Sequence, residues 1–302
     1  MAPASPIARR RRGEAAASLG HRAGLVRLWR RARRNTLSVI ALGIVLVLTL
    51  VALVAPWVAP YDPDAPAAAD TLQAPSWRHW LGTDIYGRDQ LSRIVHASRV
   101  DLLVALSATA MALALGMLLG ALAGYRGRWT DHLVMRGMDT VQAFPAFILA
   151  MGITAALGNS TANVVVAIAI THVPIYTRLI RGEMLRLREM EYAEAARTLG
   201  NRERRIVFVH LLPNCFPPVI VQATLAMGFA ILTVAALSFI GLGIQPPTSE
   251  WGAMTAEGAS YIVSGEWWLF LFPGLAIMVT VLSFNLVGDA LRDLLDPRMR
   301  GV

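Results

Sequence analysis

Long blocks without any charged residue dominate the pattern of hydrophobic and polar positions in this chain. A helix needs about 20 apolar residues, at a rise of about 1.5 Å each, to cross the hydrocarbon of a bilayer. Five blocks that lack Asp, Glu, Lys and Arg reach this length; they lie at residues 35–61, 102–125, 140–177, 206–249 and 267–288. The pattern therefore predicts membrane-spanning helices and not a soluble core.

The third block predicts two helices, because it is twice as long as one span needs to be. Its middle reads Gly158-Asn159-Ser160-Thr161, which is turn chemistry inside an otherwise apolar run. We therefore expect an all-α integral membrane protein with six transmembrane helices. They are placed at about residues 37–56, 100–124, 138–157, 162–180, 215–241 and 267–289.

Residues 182–213 form a polar segment with helical periodicity on both sides of a strong stop. The stretch before Gly200 sets apolar positions opposite Arg and Glu, as an amphipathic helix does. Gly200 favours a left-handed helix end, a second helical stretch follows, and Pro213 ends it. The small pair Ala195 and Ala196 would let the first helix fit closely into a groove of a partner, or pack against its own bundle.

The segments at the other ends of the spans are rich in Pro and aromatic residues. Residues 81–101 predict either a short amphipathic helix on the outer surface or a loop capped by Thr83 and Asp84. Residues 242–267 predict an outside loop. Trp and Tyr rings suit a membrane interface. The residues expected there are Trp57, Tyr61, Trp77, Trp80, Trp251, Trp267 and Trp268.

Small and helix-bending residues predict how the spans pack. Three glycines of span two recur at every fourth position, a spacing that lets two helix backbones approach closely. These glycines are Gly116, Gly120 and Gly124. Pro145 and Pro174 are expected to kink their helices, which suits either a translocation path or packing alone. His172 is interpreted as a packing residue, because the other histidines have no metal-ligand spacing.

The distribution of charge predicts the orientation. The chain has 302 residues, is 55% hydrophobic with a net charge of +8, and carries no Lys among its 28 basic residues. With six spans, 24 of the arginines fall on one side, in residues 1–36, 125–139, 178–213 and 289–302. By the positive-inside rule that side is cytoplasmic, and both termini lie there. Topology and anionic headgroups explain the basic excess, so no nucleic-acid partner is predicted.

The motifs that the sequence lacks exclude several function classes. There is no phosphate-binding loop of the G-x-x-x-x-G-K-[ST] type and no Lys to serve in one, and neither H-E-x-x-H nor G-x-S-x-G occurs. We therefore expect a transport subunit that is not an enzyme and binds no cofactor itself. The single Cys215 excludes an intrachain disulfide and is interpreted as a packing residue. The first apolar segment is too long for a cleavable signal, which favours a retained anchor.

Five sequence blocks carry a family resemblance. Residues 192–214 read YAEAARTLGNRERRIVFVHLLPN, which resembles the EAA loop by which permeases of ABC importers dock onto their ATPase subunits. The others are LGTDIYGRDQLSR (81–93), RGMDTVQAFP (136–145), SFIGLGIQPPTSEWGAM (238–254) and NLVGDALRDLLDPRMRG (285–301). Together they resemble the MetI-like permeases of the dipeptide, oligopeptide and nickel group, specifically the "C" subunit, over nearly the whole chain after residue 36.

The resemblance implies a type I importer permease core with an extra N-terminal helix. Residues 1–36 would be a basic cytoplasmic tail, and residues 37–98 the N-terminal transmembrane helix with an outside loop. Residues 99–290 would be the five-helix core, with a cytoplasmic EAA coupling loop at 182–213. Residues 291–302 would be a cytoplasmic C-terminus.

The resemblance also implies an assembly in the bacterial inner membrane. Its other members would be a homologous permease, two ATP-binding subunits that carry ATP and Mg²⁺, and an extracytoplasmic substrate-binding protein. Closure of the ATPases would push the coupling helix and switch the pore between outward- and inward-facing states. The residues implied for this coupling are Glu194, Ala195, Ala196, Arg197, Gly200, Leu212 and Pro213. No substrate-binding residue is assigned.

Several functions stay open from the sequence. Within the importer class, di- and oligopeptides are the leading substrates, and nickel or another small solute is the alternative. An ion-gradient transporter or channel subunit would be expected to place charges inside the membrane, and the near-absence of such charges disfavours it. The third alternative is a scaffold whose EAA segment binds a partner while nothing crosses the membrane.

Overall fold

A computed structural model describes residues 36–295, and this part of the chain is built from helices and loops without a β-strand. Nine helices of eight or more residues follow one another within it. They are α1 (Thr36–Val58), α2 (Gln90–Arg126), α3 (Arg128–Gln142), α4 (Ala146–Leu157), α5 (Thr161–Leu187), α6 (Glu191–Thr198), α7 (Phe216–Phe239), α8 (Trp251–Ala259) and α9 (Trp268–Leu295). The basic tail predicted at 1–36 and the C-terminus predicted at 291–302 fall largely outside the described residues.

Six spans are obtained when α3 and α4 are counted as one, as the sequence predicted. Five helical stretches are long and apolar enough to cross a membrane; they are Thr36–Val58, Gln90–Arg126, Thr161–Leu187, Glu203–Phe239 and Trp268–Leu295. α3 and α4 pass the same test together but are bent by 86° at their junction. The bend follows from Pro145 at the N-cap of α4, because a proline pushes the preceding residue out of the helical conformation.

The short surface helix predicted within residues 81–101, leading into span two, is instead the buried beginning of the span helix itself. α2 runs without a break from Gln90 to Arg126, so its first turns belong to the same helix as the span. Asp89 caps it by accepting a hydrogen bond from the backbone N–H of Ser92 at 2.8 Å. Thr83 and Asp84, the alternative caps, lie in the preceding loop instead.

The glycine stripe of α2 is a packing face, as predicted. Its three glycines touch α5, and a Cβ added at Gly120 would lie 2.6 Å from the carbonyl oxygen of Thr177. At Gly116 it would lie 2.4 Å from the Cβ of Tyr176, and at Gly124 2.7 Å from that of Met184. The contacts on α2 and α5 both advance toward the C-terminus, so the two helices run parallel. α3 and α4 lead the chain from the end of α2 back to the beginning of α5.

The bundle therefore has two distinct ends. The EAA end holds residues 126–142 and 182–215, where α2 and α5 stop and α7 begins. The opposite end holds residues 59–90 and 240–267. A central apolar core of α2, α5, α7 and α9 joins the two ends.

The outside loop predicted at 242–267 contains a buried helix, α8. Glu250 caps α8 by accepting hydrogen bonds from the N–H groups of Gly252 and Ala253, both at 2.7 Å, and burial raises the pKa of this carboxyl above its ordinary value. A Cβ at Gly252 would lie 2.4 Å from the Cα of Ala235, so α8 packs directly on the backbone of α7. The structure therefore places α8 in the body of the protein.

Two of the tryptophans expected at a membrane interface are buried instead. Trp251 is 1% exposed, and its indole N–H donates to the carbonyl of Ile94 at 3.1 Å. The indole N–H of buried Trp268 donates to the carbonyl of Thr83 at 3.2 Å. The five other aromatic residues of this group are exposed; they are Trp57, Tyr61, Trp77, Trp80 and Trp267.

A cluster of buried charges ties the loop before α2 to α8. Asp84 lies 2.6 Å from the guanidinium groups of both Arg88 and Arg93. Arg93 also reaches Glu257 of α8 at 3.3 Å. The cluster neutralises buried charges that the hydrophobic pattern alone does not reveal.

Candidate functional site: the EAA loop

α6 lies on the EAA end as a short helix with one inward and one outward face. Ala193 and Ala196 are buried against Met184 and Leu187 of α5 and against the segment after Gly200. Glu194, Ala195 and Arg197 are exposed. The structure thus divides the small pair of the EAA motif, because Ala196 packs against the chain's own bundle and only Ala195 is free to meet a partner.

Gly200 ends α6 with a two-bond C-cap. Its backbone N–H donates to the carbonyl of Arg197 at 2.9 Å, and the N–H of Asn201 donates to that of Ala196 at 3.2 Å. This pair of bonds is the Schellman arrangement, which needs a residue in the left-handed region. Gly200 has φ +75° and open space around it, so conformation and not crowding requires a glycine here. The predicted stop is confirmed.

The second half of the loop is less regular than the helix predicted over residues 202–212. After a helical turn at Glu203–Arg205, residues Ile206–Leu211 form a π-helical stretch and Leu212–Cys215 a 3₁₀ turn. Pro213 contributes to this, because it cannot donate the backbone hydrogen bond that a regular helix needs. Leu212 is half-buried and Pro213 is exposed, whereas the packing role predicted for Cys215 is confirmed by its burial.

Two arginines connect α6 to the spans through backbone carbonyls. The guanidinium of Arg197 donates to the carbonyl of Arg188 at 3.2 Å. That of Arg188 donates to the carbonyl of Gly124, in the last turn of α2, at 3.1 Å. Together with the burial of Ala193 and Ala196, this series of contacts joins α6 to α5 and α2 as one packed unit.

α3 is attached to α5 by ion pairs and by the partly buried Met138, which packs against an apolar cluster that includes Val173 and Tyr176 of α5. Arg181 pairs with Asp131 at 2.6 Å and Arg178 with Asp139 at 2.7 Å. No residue of α3 is buried. The large apolar side chains of Trp129 and Leu133, in contrast, are 87% and 77% exposed at the EAA end.

Leu199 and Met190, two apolar positions of the amphipathic pattern before Gly200, lie on the outward face of the EAA loop. Leu199 is 82% exposed, and Met190 is also exposed, as is Tyr192 beside it. Leu199 precedes the capping glycine, where the helical phase ends, and Met190 is the residue before α6 begins. The position of both residues at the ends of α6 is the sequence feature that indicates their exposure.

The described residues offer no candidate metal centre. Across residues 36–295, no group of three or more His, Cys, Asp and Glu side chains could hold a metal ion. The ring Nδ1 of His172 lies 2.9 Å from the carbonyl oxygen of Ile168 in its own helix, which suits the packing role predicted for it.

Comparisons with known proteins extend over nearly the whole chain. Residues 116–301 match the family model described as "Binding-protein-dependent transport system inner membrane component". Residues 25–75 match that of the "N-terminal TM domain of oligopeptide transport permease C". Together they confirm a permease core with an extra N-terminal helix, the architecture that the resemblance implied.

Three curated relatives are 43–46% identical to this chain. A dipeptide transport system permease protein of Alkalihalophilus pseudofirmus is 46% identical over 276 residues, which cover 90% of each chain. A di/tripeptide transport system permease protein of Pseudomonas aeruginosa is 44% identical over 289 residues, 94% of this chain and 95% of the relative. A glutathione transport system permease protein of Escherichia coli is 43% identical over 274 residues, 90% of each.

Proposed function

Because this chain belongs to the family of binding-protein-dependent transport system inner membrane components, we propose that it is a permease subunit of an ATP-driven importer of di- and oligopeptides. The names of its relatives support the substrate class, since they specify dipeptides, tripeptides and glutathione, itself a short peptide. These names do not favour the nickel alternative.

The observation that carries the coupling role is the two-faced character of α6. A helix that must transmit force needs an exposed face for the ATPase and a buried face attached to the moving spans. Glu194, Ala195 and Arg197, with exposed Leu199, would meet the ATPase groove. Buried Ala196 would instead transmit the motion inward. Leu212 and Pro213 would set the direction in which the chain re-enters the bundle.

The assembly follows from the family. A homologous permease would complete the pore, two ATP-binding subunits would hold ATP and Mg²⁺, and a substrate-binding protein would deliver the peptide from outside the cell. This chain would contribute no group to ATP hydrolysis. Its α6 would convert closure of the ATPases into movement of α5 and α2.

Replacing Gly200 by Pro tests the coupling role. Proline has no backbone N–H to donate to the carbonyl of Arg197 and cannot adopt φ +75°. The C-terminal cap of α6 should therefore be lost, and with it the binding of the ATPase. Gly265→Pro is the matched control, because Gly265 has φ +108°, open space and a comparable backbone bond to Ile262 at the opposite end. We expect Gly200→Pro to abolish co-purification of the ATPase and Gly265→Pro to retain it.

Glu194→Arg provides a second test that leaves the backbone unchanged. Reversing this exposed charge should abolish peptide uptake while insertion into the membrane stays normal. Normal uptake by both the Glu194→Arg and Gly200→Pro proteins, at wild-type expression, would contradict the coupling role.

The substrate class is tested by complementation. A strain deleted for the gene is supplied with the wild-type gene, and uptake of labelled di- and oligopeptides is compared with uptake of Ni²⁺. Restored peptide uptake that depends on Glu194 supports the proposal, whereas restored Ni²⁺ uptake alone would reject the peptide assignment.

The orientation, with both termini and the EAA loop in the cytoplasm, is tested by cysteine labelling. Val263→Cys and Leu199→Cys place thiols at 99% and 82% exposed positions on opposite ends. The native Cys215 is 1% exposed and gives little background. A membrane-impermeant maleimide should label intact cells only at position 263. Labelling at position 199 alone would reverse the topology.

A further inference from the structure

A groove of about 650 Å³ opens beside the EAA loop, between the end of α2 and the segment that follows Gly200. Apolar side chains line both of its walls. The apolar lining consists of Leu118, Ala121, Leu122, Tyr125, Val207 and Phe208. Leu118 and Phe208 are each more than half exposed, so the groove is an open surface of the described chain.

The groove lies beside the end of a span helix, where the boundary between headgroups and hydrocarbon is expected. α2 is one of the membrane-spanning helices and ends at Arg126. Leu118 lies eight residues before that end, which is about 12 Å along a helix at 1.5 Å per residue. We therefore expect the apolar lining to extend into the hydrocarbon and Arg126 to lie at its boundary.

Two arginines stand at the mouth of the groove. Within residues 36–295, neither Arg126 nor Arg204 has an acidic side chain within ion-pair distance, although both line the groove. The one acidic residue of the lining, Glu203, accepts a hydrogen bond from the hydroxyl of Tyr125. The two guanidinium groups are thus available to an anion from outside the chain.

We propose that this groove binds an anionic phospholipid. Its phosphodiester would accept hydrogen bonds from Arg126 and Arg204, and an acyl chain would lie along Leu118, Leu122 and Phe208. Basic pockets beside membrane helices on the cytoplasmic side suit anionic headgroups, and guanidinium groups match the geometry of phosphate oxygens. The combination favours lipid over a soluble anion, which would have no use for the apolar floor.

A lipid in this groove would connect the membrane to the coupling loop. One wall, Val207 and Phe208, lies in the segment that follows Gly200, nine residues beyond the end of α6. The other wall is the last part of α2, to which Arg188 is hydrogen-bonded through the carbonyl of Gly124. A bound phospholipid would therefore hold together two elements that the proposed motion of α6 would displace.

The test is photocrosslinking of the purified chain, together with the subunits that co-elute with it. The protein is reconstituted in phosphatidylcholine vesicles that contain a minor fraction of phosphatidylglycerol with a photoreactive acyl chain. Mass spectrometry then maps the crosslinked residues. We expect crosslinks at residues 118–122 and 207–208, and competition by unlabelled phosphatidylglycerol that phosphatidylcholine does not match.

A double variant and a charge-matched control isolate the arginines of the groove. Arg126→Gln with Arg204→Gln should lower phosphatidylglycerol capture by roughly tenfold or more, since each interfacial arginine contributes about a factor of five. Arg202→Gln with Arg205→Gln removes the same charge from residues outside the lining and should leave capture unchanged.

Three results would overturn the proposal, and none depends on transport. The first is equal capture of a photoreactive phosphatidylcholine, which would mean ordinary boundary lipid. The second is an equal loss in both double variants. The third is the absence of crosslinks in these residues in the assembled complex, with another subunit covering them. If the double variant fails to fold, the proposal is still tested by the wild-type protein, in which unlabelled phosphatidylglycerol should compete for crosslinking better than phosphatidylcholine does. Because lipid capture is measured without peptide or ATP, its failure would leave the proposed importer function untouched.

Discussion

The parallel contact between α2 and α5 should not tolerate even one added methyl group at Gly120. The Cβ of an alanine there would lie 2.6 Å from the carbonyl oxygen of Thr177 and 2.8 Å from the Cβ of Ile180. The first of these atoms belongs to the helix backbone, so a change of rotamer cannot relieve the clash. The two helices would have to separate by about 0.8 Å to reach the 3.4 Å of ordinary contact.

The expected cost follows from two opposing effects. Overpacking a well-packed interface destabilises by about 1–3 kcal/mol, while replacing glycine by alanine inside a helix stabilises by up to ~1 kcal/mol. Gly43→Ala in α1 is the matched control, because a Cβ there meets nothing within 4 Å and keeps only the helical gain. The difference between the two variants, about 1–3 kcal/mol, therefore reports the packing cost.

Thermal unfolding of the purified proteins in one detergent measures this difference. Each kcal/mol shifts Tm by roughly 2–4 °C for a domain of 150–250 residues. We therefore expect Gly120→Ala to unfold several degrees below Gly43→Ala, and Gly120→Leu to be lower still. Equal Tm values for the two alanine variants would refute the reasoning, because they would mean that α2 and α5 are not in close backbone contact.

Three further predictions concern the opposite end and the helix cap. Asp84→Asn should destabilise the protein by about 3–5 kcal/mol, because the guanidinium groups of Arg88 and Arg93 stay buried with less compensating charge; a Tm equal to that of the wild type would contradict this. Trp251→Phe should cost about 0.5–1.5 kcal/mol by removing the indole hydrogen bond to the carbonyl of Ile94, again measured by Tm, and an unchanged Tm would show that this bond contributes little. Gly200→Asn should retain ATPase co-purification and Gly200→Val should lose it, because asparagine tolerates φ +75° and valine does not; equal retention would show that the cap is dispensable.

The membrane spans and the cap of α6 could be predicted from the sequence because their causes are local. A charged residue in hydrocarbon is costly wherever it occurs, so long uncharged blocks mark the spans without knowledge of their neighbours. The glycine spacing of α2 and the left-handed preference of Gly200 are equally local. The EAA loop and the four other motifs identified the family for the same reason, since each is a continuous stretch of chain.

The direction that individual side chains face was decided by the tertiary structure. Trp251 looks the same in the sequence as an interfacial tryptophan, and its burial depends on the carbonyl of Ile94, 157 residues away in the chain. Ala195 and Ala196 are identical in chemistry, and only the position of α5 turns one of them inward. The contact between Arg93 and Glu257, and the groove lined by Arg126 and Arg204, likewise need segments that are far apart in the chain. Local chemistry therefore determined which elements form, and the packing of distant segments decided which side chains remain available to a partner, because burial is a property of two surfaces and not of one.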